Sequence, residues 1–168
     1  MVKNYRIALL LIFLGMVLSC AKQKEKQTNT DSFYTQTRSY DLYRIPLIKP
    51  HQLTTPVLET GWFFELPYGQ IGSLISNSIG VNKVGVKDSI IIVQTDIIYV
   101  KYKMQKAWFI VDLKTNTENV ITDVNEYNNY LNKKGLQDIK LLIPDVVYQR
   151  FLDEGNLPFN VESKSISN

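Results

Sequence analysis

From Val81 to Leu113 the chain is a series of short, β-branched apolar runs with polar breaks between them: VNKVGVK and SIIIVQT around Asp88, then IIYVKYKMQ, then AWFIVDL. None of these runs is long enough for an ordinary helix, and each is rich in the residue types that suit a pleated, half-buried surface. This succession constrains the fold more than any other feature, because strands that follow one another through tight turns pair antiparallel. VNKVGVK and SIIIVQT are predicted to form a hairpin turning at Asp88. IIYVKYKMQ alternates, with Ile98, Val100, Tyr102 and Met104 inward and Lys101 and Lys103 outward, where charges keep an edge from pairing with neighbours.

The flanking segments extend the pattern. YDLYRIPLI places Tyr43, Ile45 and Leu47 on one side and reads as a strand near an edge because of Pro46. KPHQLTTP is predicted to be a loop, GWFFELP a short aromatic strand, and PYGQIGSLISNSIG loop-like. After AWFIVDL comes a KTNTEN turn and an NVI strand. A helix then starts at Asp123 as N-cap, with Glu126 as capping-box partner and Val124, Tyr127, Tyr130 and Leu131 as its apolar stripe. Gly135 stops it, and Leu136 is the apolar residue that often follows such a stop. DIKLLIP reads as a last strand. Pro144 opens a second helix with Val147 and Phe151 on its buried face, ended by Gly155. Strands first and helices late predict an α+β single domain: an antiparallel β-meander of about five to seven strands with two C-terminal helices packed on one face.

The first twenty residues are of another kind. Lys3 and Arg6 precede an apolar run, Ile7 to Leu18, which at about 1.5 Å per residue makes roughly 18 Å of helix, short of a roughly 30 Å hydrocarbon core. The run closes on Val17-Leu18-Ser19-Cys20, and Cys20 is the only cysteine in the chain. This stretch resembles the signal and lipobox of bacterial lipoproteins. The resemblance implies cleavage between Ser19 and Cys20, a diacylglyceryl thioether (with palmitate-type acyl chains) on the Cys20 sulfur, and a membrane-lipid partner through it. The organisation expected is a cleaved signal peptide at 1–19, a lipidated cysteine and flexible tether at 20–38, a globular domain at 39–160 and a disordered tail at 161–168. Ala21 is not the aspartate that retains lipoproteins at the inner membrane of enteric bacteria, so the expected address is the outer membrane facing the periplasm, or the extracytoplasmic face of the plasma membrane in a single-membrane cell.

Charge narrows the function classes. The 19 basic residues include Lys3 and Arg6, so from Cys20 onward 17 basic side chains face 16 acidic ones. That balance gives no reason to expect nucleic acid. No cofactor and no metal are expected, since the chain has one histidine, His51, and would have no free thiol after acylation. No nucleophile elbow, Ser-x-x-Lys box, P-loop or calcium-loop spacing occurs, and Asp88, Asp96, Asp112, Asp145, Asp153 and Glu154 are scattered. No catalytic residue and no enzymatic activity are expected. Trp62, Phe63 and Phe64 put three aromatics in a row, so a strand there turns at least one outward, making the trio a candidate binding surface, the alternative being a place in the core.

VNKVGVKDSIIIVQT … YVKYKMQKAWFIVDLKTNTENVITDVNEYNNYLNKKGL resembles the core of a class of small bacterial lipoproteins of unknown function, which brings no assigned active residues. The expectation is a membrane-anchored, non-enzymatic binding domain with a possible envelope-protein partner. The alternative is an immunity or inhibitor protein that neutralises a toxin or cell-wall hydrolase.

Overall fold

The computed structural model describes residues 31–68, 78–96 and 106–159. The sequence expectations for the signal peptide, Cys20, the first part of the tether, the IIYVKYKMQ strand, most of the PYGQIGSLISNSIG loop and the tail lie outside the described residues. Two antiparallel sheets account for the strands among those residues. The first runs β1 (Arg38–Ser39), β2 (Leu42–Pro46), β3 (Gln52–Thr55), β4 (Trp62–Glu65) and β5 (Ser78–Val81), in that order. The second runs β6 (Lys83–Lys87), β7 (Ile90–Thr95), β8 (Ala107–Asp112) and β9 (Thr117–Ile121). Helix α1 is Val124–Lys134 and α2 is Pro144–Glu154. The fold is therefore α+β and antiparallel, with its meander divided between two sheets.

The division falls at Asn82, the single residue between β5 and β6. Its backbone N–H donates to the Gln94 carbonyl at 2.9 Å, so the second sheet already claims it. The sheets share one core. Ile45, Leu53, Trp62, Phe64 and Ile79 of the first meet Val84, Ile91, Val93, Phe109 and Val111 of the second. A second core lies on the other face of β7 and β8, where Ile90, Ile92, Trp108 and Ile110 pack with Ile121, Tyr127 and Leu136. Successive strand residues point to opposite faces, so a strand covered on both faces must be apolar throughout. That is the physical reason for IIIV and AWFIV.

The two helices pack against different sheets. Tyr127 of α1 stacks on Trp108 of β8, ring centroids 4.4 Å apart and planes 8° from parallel. In α2, Val147 and Tyr148 enter the inter-sheet core, and Tyr148 meets the Tyr43 ring edge-on at 6.0 Å. Asp123 caps α1 as predicted, accepting from the Asn125 and Glu126 amides at 2.9 Å. Gly135 ends the helix in the left-handed region at φ 68°, and Leu136 N–H reaches back to the Leu131 carbonyl at 2.9 Å. Val124 departs from the predicted stripe. It is the first helical residue and is 52% exposed, so the buried part of the stripe begins one turn later, at Tyr127.

Five further expectations are corrected. KPHQLTTP contains β3, since Thr54 and Thr55 are strand residues whose hydroxyls hid the pattern. The end of the 67–80 segment, from Ser78, belongs to β5, and β9 starts at Thr117, inside the predicted turn. DIKLLIP makes one isolated bridge, Leu142 to Val84, with both amide–carbonyl distances 2.8 Å. Residues 31–38, assigned to the tether, are docked on the first sheet. There Asp31 accepts from the Phe33 amide to start a single 3-10 turn at Ser32–Tyr34, and the chain continues into β1.

Candidate functional site

The outer face of the first sheet carries the residues of interest. Register places Arg44 of β2, Thr54 of β3, Phe63 of β4 and Gly80 of β5 in one row across it. Phe63 is 36% exposed and stands beside the side-chain-free Gly80, while its neighbours Trp62 and Phe64 are 2% and 1% exposed in the core. The aromatic trio therefore splits. Trp62 and Phe64 are removed from the candidate surface, because alternation turns both inward, and Phe63 remains on it. Trp62 has a structural partner as well, donating from Nε1 to Asp145 Oδ1 at 2.8 Å and so fixing the start of α2.

Segment 31–37, here called the strap, lies antiparallel to β2 on this same side. Lys49 Nζ meets Asp31 Oδ2 at 2.6 Å, the Lys49 amide donates to the Tyr34 hydroxyl at 3.1 Å, and the Arg44 amide donates to the Thr37 carbonyl at 3.0 Å. The Lys49 bond, then the Phe33 amide, hold the Asp31 carboxyl below its ordinary value of 3.8. Pro46 fits this geometry. Leu47 N–H points to β3, reaching the His51 carbonyl at 3.0 Å, while Arg44 N–H points to the strap. Pro46 has Arg44's orientation, so its missing N–H costs the β2–β3 ladder nothing.

Under the strap lies Arg44, only 5% exposed. Its Nη2 donates to the Phe33 carbonyl at 3.1 Å, its Cζ sits 4.6 Å from the Phe33 ring centroid, and its Nε has no hydrogen-bond partner. Burial lowers the guanidinium's pKa. Alternation in YDLYRIPLI places Arg44 on the solvent side, and nothing periodic in TDSFYTQT announces a cover. The adjacent aromatics Phe33 and Tyr34, in an otherwise polar stretch, were the available signal.

At the far end of the strap, Tyr40 and Asp41 turn the chain from β1 into β2. Tyr40 is fully exposed and has φ 54°, a conformation that disfavours any side chain.

The scattered carboxylates have structural positions. Asp88 holds the hairpin turn at φ 52°, and Asp96 accepts from the Asn82 side chain. Asp112 accepts from Ser89 Oγ at 3.3 Å and the Lys114 amide at 3.0 Å, with Lys134 Nζ 3.8 Å away. Asp153 accepts from Gln149 and Glu154 from Arg150, each at 2.9 Å and one helical turn apart. A buried acid the sequence did not single out, Glu118, accepts from the Tyr68 amide at 2.6 Å. Burial first, then the Glu118 and Asp112 charges, raise the Tyr68 phenol's pKa. His51 is half-buried and its pKa is lowered by that burial. Among the described residues no three His, Cys, Asp or Glu side chains gather as a metal site would require.

No family model, no curated protein and no solved structure matches the chain.

Proposed function

We propose that the protein is a lipid-anchored, extracytoplasmic binding domain without catalytic activity, held at the membrane through Cys20. The observation that carries the reading is the single cysteine closing a short apolar run behind Lys3 and Arg6, directly ahead of a folded domain. Eleven residue steps separate Cys20 from Asp31, a reach of at most about 40 Å, so the strap side of the domain would work close to the bilayer surface. Tyr40 and Phe63, exposed aromatics on that part of the molecule, are the contact residues we favour for an envelope partner.

The test is Cys20→Ser in growing cells. Labelled fatty acid is expected in the wild-type protein and absent from the variant, and cross-linking in intact cells should capture an envelope protein with the wild type only. Label retained by the variant would sink the anchoring; identical captures from both would sink the dependence of binding on it.

A further inference from the structure

Arg44 is a buried cation that meets no carboxylate among the described residues. Buried arginines are ordinarily paired, because an ion taken from water must recover its lost solvation. Nε–H and Nη2–H lie on one side of the guanidinium plane's edge, the side a carboxylate grips with two parallel bonds. Here the Phe33 carbonyl takes Nη2 at 3.1 Å and leaves Nε without a partner. One peptide oxygen thus fills half of a two-pronged acceptor position.

We propose that Arg44 is a carboxylate-recognition residue kept covered by the strap, and that an acidic side chain of an extended partner segment takes the place of the Phe33 carbonyl when the strap lifts. Lifting costs little at the ion pair, which is solvated, with the Lys49 side chain 57% exposed. Departure of Asp31 also frees Lys49 as a second cation on the same edge. Beyond Arg44 the row offers the Thr54 hydroxyl and then the Phe63 ring, so an acid followed by an apolar residue suits the face. The inference rests on reading the domain as a binding module and names where it binds.

The test uses the full chain, isotopically labelled, and follows the Arg44 Nε–H resonance with exchange of the strap amides. Three probes are added at matched ionic strength: a blocked peptide containing Asp-Thr-Phe, its Asn-Thr-Phe counterpart, and acetate. The Asp peptide is expected to shift Nε–H and speed exchange of the Tyr34 and Arg44 amides about tenfold, with no response to the Asn peptide. An equal response to acetate supports the Arg44 site and assigns its source as a free carboxylate. Arg44→Lys keeps the charge without the fork and should abolish the strap-amide response, the readout that this variant retains, while the rest of the spectrum is preserved. Silence with every probe, or a response surviving in Arg44→Lys and Arg44→Gln, overturns the proposal. Such a failure leaves the cross-linking result untouched, so the two readings fail separately.

Discussion

Gly85 shows how closely one residue can be specified. A Cβ built there would lie 2.7 Å from Leu141 Cδ2 and 2.9 Å from the Lys140 carbonyl oxygen. The leucine tip can swing away, but the carbonyl belongs to the segment that bridges to Val84 and cannot move without breaking that bridge. Gly85→Ala is expected to cost about 1–3 kcal/mol in urea unfolding; an unchanged midpoint would show the 139–142 segment to be loosely attached. Tyr40 is the opposite case. At φ 54° with its ring in water, it bears a backbone cost of about 1–2 kcal/mol and gains nothing visible in return. Tyr40→Gly should therefore stabilise the domain by up to about 1 kcal/mol, the gain being trimmed by glycine's greater freedom in the unfolded chain. A loss of stability would mean that the ring packs in solution. Neither residue's role was legible in sequence. Gly85 read as one apolar-strand glycine, because the segment pressed against it comes from more than fifty positions later.

At the scale of elements, local chemistry was the legible part. The Asp88 hairpin, the Asp123 cap, the Gly135 stop and the Pro144 start each depend on a few neighbouring residues, and each is where the sequence predicts. β3 and the strap were not legible, because tertiary contacts rather than periodicity hold them. Three of the four β3 residues are threonine or glutamine, and the strap is a 3-10 turn plus side-chain bonds to Lys49 and Arg44. The strap should also respond to acid. The Asp31 pKa is lower folded than unfolded, so its contribution is fully present above the unfolded value of about 3.8 and is lost as pH falls through the folded one. The protection of the amides of residues 33–37, taken relative to their intrinsic exchange at the same pH, should fall on acidification below about pH 4, and Asp31→Asn should be weakly protected at every pH. A wild-type strap indifferent to acid would show that Arg44 and Tyr34 suffice to hold it.

The whole molecule is layered: first sheet, second sheet, α1. The middle layer is buried on both faces, so it couples the two cores. Phe109 is wholly buried between the sheets, and its strand neighbours Trp108 and Ile110 belong to the other core. Phe109→Ala is expected to cost about 3–5 kcal/mol. The stack of Tyr127 on Trp108 should be lost in the same thermal transition as the inter-sheet core, read by near-ultraviolet dichroism. Two separated transitions would show that α1 folds on its own terms. The α+β class was readable from strand-rich beginnings and helical endings. The split into two sheets was not, because the bend at Asn82 is set by Gln94, which lies on the far side of the Asp88 hairpin.

The antiparallel lie of the strap has a mechanical consequence. With the chain anchored through Cys20 as proposed, tension from the membrane enters at Asp31 and meets the Lys49 ion pair first, then the Arg44 bond to the Phe33 carbonyl, then the Tyr34 hydroxyl, then the Thr37 carbonyl. The bonds are loaded one after another, as in opening a zipper, and not all at once, as in shearing a joint. Residues 31–37 would yield at low force and lengthen the leash by about 20 Å before the sheets carry any load. The strap would then act as a force-dependent cover: a domain tugged by a bound partner uncovers Arg44, and a slack one closes over it again.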